Sequence, residues 1–196
     1  MTQVHPRPSF SSSRVLIHHK FCSDSTTIFT VWKKSLLFNS KGFTVFDASG
    51  NLVFRVDNYA SNACNEIELM DHAGNVLITL RRKRFSMRNR WEAFRGDLRK
   101  PTFTLTKSSR FSNKITANVF MNAGGQRKQW DYQIQGGFSK PSCTVFSASG
   151  DVIAEVKRKE AKSNVMLGDD VFSLVVQPGA DQAFVMGLVI ILDQIS

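Results

Sequence analysis

The chain has 196 residues, 42% of them hydrophobic, and is rich in Phe (16) against only 2 Tyr. That is enough apolar material for a packed domain and excludes a chain disordered throughout. The formal net charge of +10 points to anionic partners (nucleic acid, anionic lipid or an acidic protein) and carries no information about fold.

The first 13 residues, rich in Pro and Ser, lack the apolar core of a signal peptide and read as a disordered lead-in to one domain over 14–196. Runs at 15–21, 28–33 and 35–39 read as strands. Residues 43–56, FTVFDASGNLVFRV, return at 143–156 as CTVFSASGDVIAEV, with Thr-Val-Phe, Ala-Ser-Gly and the closing Val retained. Each copy alternates apolar and polar residues on both sides of a glycine turn, the signature of a β-hairpin. A looser copy occupies 67–80, IELMDHAGNVLITL. Gly50, Gly74 and Gly150 are expected to supply the positive φ at the three tips. The repeat is therefore a structural device rather than a repeated binding motif. Further strands are expected at 90–95, 101–106, 115–120, 129–134 and 171–177. Roughly a dozen antiparallel strands make a sheet that must curl, split or close, and closure removes its exposed edges.

The end of the chain breaks the strand pattern. Pro178-Gly179 stops the preceding strand, and Asp181 is placed as the N-cap of a helix over 181–195. Residues from Ala183 to Leu192 are all apolar except for Gly187. Such a run is too short to cross a bilayer, which takes about 20 residues. A helix that is apolar all round must be enclosed by protein, which favours a place along a barrel axis over the alternative of packing on the face of an open sheet. The expected fold is thus mainly β: a closed antiparallel barrel of about twelve strands around a central hydrophobic C-terminal helix.

The basic residues are not spread evenly. Between Arg81 and Lys114, Lys and Arg outnumber Asp and Glu by ten, the excess of the whole chain. The densest part, RRKRFSMRNRW over 81–91, offers Arg81, Arg82, Lys83, Arg84, Arg88 and Arg90 as candidate ligands for phosphate oxygens, which guanidinium groups can grip bidentately. Phe85 and Met87 lie among them and could insert into a lipid interface, although Phe85 equally suits the barrel wall. A basic run on a loop is also often no more than solvated surface. Anionic lipid, nucleic acid and an acidic protein are the three partners that would use it.

No catalytic signature is present: there is no phosphate-binding glycine loop, no nucleophile elbow and no zinc-protease helix. His18 and His19 are adjacent and on a strand would face opposite ways, one buried and one exposed. Asp47, Asp71 and Asp151 sit at hairpin tips, where Asp serves the turn. Cys22, Cys64 and Cys143 are widely spaced, fit neither a disulfide framework nor a zinc site, and suit an intracellular chain. Cys143 reads as core rather than nucleophile. The expectation is a non-enzymatic binding protein without a cofactor, metal or transmembrane segment. It is expected to be monomeric and cytoplasmic, peripheral to a membrane, or nuclear.

The stretches FTVFDASGNLVFRVDNY, LMDHAGNVLITLRRK, RWEAFRG, WDYQIQGGFSKPSCTVF and VVQPGADQAFVMGLVIILDQI resemble the plant LURP-one-related family. The resemblance runs from about Val15 to the C-terminus. It implies kinship with the Tubby C-terminal domain and the phospholipid scramblases, and with it a twelve-stranded barrel around a hydrophobic helix. It also implies a membrane-tethered protein that binds phosphoinositides, with a role in transcription or plant defence. Ala180 and Gly187 stand where the family more often has bulkier residues, and a glycine within a helix costs up to about 1 kcal/mol against Ala.

Overall fold

Twelve strands and one helix make up the architecture of the computed structural model, which describes residues 17–34, 42–57, 66–83, 89–96, 98–108, 115–121, 129–137, 142–158 and 170–195. The strands are β1 (Thr27–Lys34), β2 (Gly42–Phe46), β3 (Leu52–Asp57), β4 (Glu66–Asp71), β5 (Val76–Arg82), β6 (Arg90–Phe94), β7 (Phe103–Lys107), β8 (Ile115–Met121), β9 (Tyr132–Gly137), β10 (Ser142–Ser147), β11 (Val152–Arg158) and β12 (Val171–Val176). Each pairs antiparallel with its neighbours in sequence, and β12 pairs with β1, so the meander closes into a barrel. The helix α1 (Gln182–Ile195) follows β12.

Period-two alternation decides what lies inside. In β12 Phe172, Leu174 and Val176 are buried while Val171, Ser173 and Val175 alternate with them on the outer wall. The inward residues of the wall meet the helix, on which every residue from Ala183 to Leu192 is buried. Phe184 packs against Phe103 and Tyr132, from strands on either side of β8, with ring centroids 5.1 and 5.0 Å away. The helix replaces a lumen, so the barrel has a core rather than a channel.

The hairpin repeat encodes more than a turn. All three hairpins carry a register shift at the same offset before the tip, between Val45 and Phe46, Leu69 and Met70, and Val145 and Phe146. Each shift leaves one extra residue on the outgoing strand, a β-bulge that bends the wall. Gly50, Gly74 and Gly150 have φ of 83°, 90° and 89°, the left-handed region that such tips require. Asp47 Oδ1 accepts the backbone N–H of Ser49 and Asn51, and Asp71 Oδ1 those of Ala73 and Asn75. In the third hairpin the roles are exchanged: Ser147 Oγ accepts the N–H of Asp151, whose carboxylate accepts the Ser149 hydroxyl.

Two expectations need correction or restriction. Residues 17–21 are not a strand. A bend at Ile17 leads into a 3-10 turn over His19–Phe21, because this segment folds across the barrel mouth, where it pairs Cys22 with Asp181 by a single bridge. His18 is accordingly half-buried and His19 exposed through the turn, not through strand alternation. The expected strand at 35–39 and the lead-in over 1–13 fall outside the described residues. Cys143 is buried, and desolvation pushes its thiol up to about 12, so at neutral pH it stays protonated and unreactive.

Candidate anion-docking end of the barrel

The helix gives the barrel two chemically distinct ends. At the end where it begins, Asp181 is buried and accepts the N–H groups of Ala183 and Phe184 at 2.9 and 3.0 Å, a helix N-cap. Its other oxygen accepts the N–H of His18, which ties the entering segment to the axis. At the end where the helix finishes, Lys107 Nζ donates to the Ile195 carbonyl at 3.0 Å, and Lys33 Nζ pairs with Asp193. The last carbonyls of a helix lack intrahelical partners and carry the negative end of its dipole, so cations here are favoured.

The basic segment reaches this second end. Arg81, the residue before the end of β5, lies on the outer wall, where its Nε donates to Glu66 Oε1 at 2.8 Å and its guanidinium lies 4.8 Å from the Phe94 ring centroid. Lys83 and Arg90 share Glu92, at 3.6 and 3.0 Å. Arg82 instead donates to the neutral side chain of Asn89 at 2.9 Å. Arg84 and Arg88 fall outside the described residues. Ion pairs this exposed stabilise a fold by at most about 1 kcal/mol each. Their effect on function is larger, because two glutamates offset part of the charge that the run shows in sequence. Of the described members, Arg82 is the cation not offset by a carboxylate.

The run from 81 to 114 does not form one surface. A meander sends successive connections to alternate ends, so Arg95, Arg99 and Lys100, between β6 and β7, lie at the end where the helix starts. In exchange, Lys33 and Lys157 join Arg81, Arg82, Lys83, Arg90 and Lys107. These seven cations face six carboxylates: Glu66, Glu68, Glu92, Glu155, Asp170 and Asp193. The sequences that connect strand ends here carry eight more Lys or Arg against Glu160 and Asp169. At the opposite end, Lys20, Arg55, Arg95, Arg99 and Lys100 face six described aspartates, Asp24, Asp47, Asp71, Asp131, Asp151 and Asp181, and the sequences that connect strand ends there add Arg127 and Lys128 against Asp97. Sequence reading missed Lys33 and Lys157 because they are dispersed along the chain; only a topology that alternates ends could have gathered them.

Among the described residues no group of three or more His, Cys, Asp or Glu side chains is arranged to hold a metal ion, and no helix is long and apolar enough to cross a membrane. The end of the barrel therefore offers charge and exposed wall.

The LURP-one-related family profile matches residues 27–193, from the start of β1 to the last turn of the helix. Protein LURP-one-related 5 of Arabidopsis thaliana is 45% identical over 190 residues, covering 92% of this chain and 89% of that protein. Protein LURP-one-related 12 of the same plant is 39% identical, over 93% of this chain and 84% of that protein. The fold is similar to the crystal structure of another Arabidopsis thaliana protein, with a TM-score of 0.72 and 26% identity over 93% of this chain and 99% of that one. Barrel, axial helix and sequence agree throughout this length, and the chain belongs to the LURP-one-related family.

Proposed function

We propose that the barrel is a non-enzymatic module that docks reversibly on an anionic membrane surface, with phosphoinositide headgroups as the preferred ligand, through the end where the helix finishes. Arg82 is the leading described contact, supported by Arg81, Lys83 and Arg90 and, by sequence, by Arg84 and Arg88. The observation that carries this reading is the unequal charge of the two ends. A surface bearing dense negative charge attracts the cationic end and orients the molecule before contact. A relation to scramblases and Tubby-like proteins, and a place in defence signalling, belong to the proposal only as what the family resemblance implies.

Sedimentation with vesicles of neutral lipid, phosphatidylserine or phosphoinositide, at low and high salt, tests it. Replacing Arg82, Lys83 and Arg84 by Ala leaves the Arg81–Glu66 pair in place. At about 1 kcal/mol per charge near the surface, this change should weaken binding to anionic vesicles on the order of a hundredfold at low salt. Replacing Arg95, Arg99 and Lys100 removes the same charge from the other end and should cost much less. Equal losses from the two triple variants would show that net charge alone, not this end, drives attachment. Binding to DNA or RNA in place of vesicles, with an affinity that falls steeply with salt, would move the same surface to the nucleic-acid reading.

A further inference from the structure

We propose that Trp32 is the interfacial anchor of the docking end, inserting its indole at the boundary between headgroups and acyl chains of an anionic bilayer. The inference rests on the docking reading above and adds the apolar contact and the orientation. In β1 the alternation sends Phe29 and Val31 into the core and leaves Ile28, Thr30 and Trp32 on the outer wall. Trp32 is 52% exposed there. It stands opposite Val171 on β12 and Thr44 on β2, and its ring meets Phe46 edge-on at 6.0 Å. Nothing in the barrel fold requires an indole at this position, since the neighbouring outer residues are small or only partly exposed.

The position along the strand gives the residue its meaning. Trp32 precedes Lys33-Lys34, the last two residues of β1, so it belongs to the end that collects the excess cations. Ile28, the other exposed apolar residue of this face, lies about 13 Å back along the strand, towards the opposite end. An indole has an apolar body and a polar N–H, and it settles where water gives way to hydrocarbon. Cations beside it would hold the headgroup layer while the ring passes below. A second copy of this chain is a poor occupant, because a self-complementary contact would bring two cationic ends together.

The protein carries its own reporters. Trp32 lies at the docking end, Trp91 is buried at 3% exposure, and the partly buried Trp130 precedes β9 at the opposite end. Full-length Trp130→Phe and Trp32→Phe proteins would be bound at low salt to phosphatidylserine vesicles with and without brominated acyl chains. On binding, the emission of the Trp130→Phe protein should shift to the blue and brominated chains should quench it, whereas they should leave the Trp32→Phe protein unquenched. Trp32→Ala should weaken vesicle binding several-fold with an unchanged melting curve. A bound Trp32→Phe protein quenched as strongly as wild type, or bound proteins in which neither variant is quenched, would overturn the anchor and leave the docking reading standing. Wild-type protein that fails to sediment with anionic vesicles at low salt would overturn both.

Discussion

Two glycines show how differently the same residue type is used. Gly136 lies in β9 at φ 132°, and a Cβ built there would stand 2.2 Å from the Ser142 carbonyl oxygen and 2.6 Å from the Cys143 Cα. Backbone cannot yield as a flexible side chain can, so this position admits no side chain. Gly187 sits within the helix, where a Cβ would meet Ile78 Cδ1 and Phe103 Cζ at 3.6 Å, ordinary contact. Gly136→Ala should therefore destabilise the barrel by more than about 2 kcal/mol. Gly187→Ala should stabilise it by up to about 1 kcal/mol, through helix propensity and added contact. Urea denaturation of both variants checks the pair, and a destabilised Gly187→Ala would show that the axis is packed more tightly than these distances indicate.

Within single elements, the hairpin joining β4 and β5 is the one most sensitive to acid. Burial of Asp71 opposes its ionisation, but the Asn75 side chain and backbone, together with Lys20 at 3.5 Å, outweigh this and lower its carboxyl from 3.8 to about 2. A carboxyl depressed in the folded state stabilises the fold above its unfolded value, and that contribution is lost as pH falls through the folded value. The hairpin should thus hold at pH 4 and weaken between about pH 4 and pH 2. Asp71→Asn should be less stable than wild type at pH 6 and should lose less stability than wild type over the acid interval. Thermal melts at pH 6, 4, 3 and 2 measure this. A variant with the same acid slope as wild type would assign the loss to other carboxylates.

On the scale of the whole molecule, a closed wall of twelve strands cannot collapse onto itself without something along its axis. The helix supplies that filling, and each residue from Ala183 to Leu192 is buried. Barrel and helix should accordingly melt as one unit. Ile190→Asp places an unpaired charge at a site with 0% exposure and should destabilise severely, by at least about 4 kcal/mol. Removal of residues 181–196 should abolish the cooperative transition and the near-UV dichroism. A truncated chain that still melts sharply would mean that the wall closes without its axis.

Much of this was legible in the sequence because it is written in local signals. The bulged hairpins announce themselves through glycine tips and repeated alternation, and the axial helix through its apolar run behind Asp181 and Pro178-Gly179. Both depend on neighbours a few residues away. The 15–21 segment misled because its apolar start, Val15-Leu16-Ile17, suits a strand, whereas the place of residues 17–21 across the barrel mouth, tied by His18 to Asp181, is decided by residues at the far end of the chain. Gly136 gave no signal, since the approach of Cys143 from the next strand is what forbids a side chain. The charge is the clearest division. Its amount and sign follow from composition alone. Its distribution is a property of closure: a meander that reverses direction at every strand deals cations to one end or the other, moving Arg95, Arg99 and Lys100 away from Arg81 and bringing in Lys33 and Lys157. Spacing along the chain cannot express that sorting, because it depends on which end each connection opens, and only the folded barrel has ends.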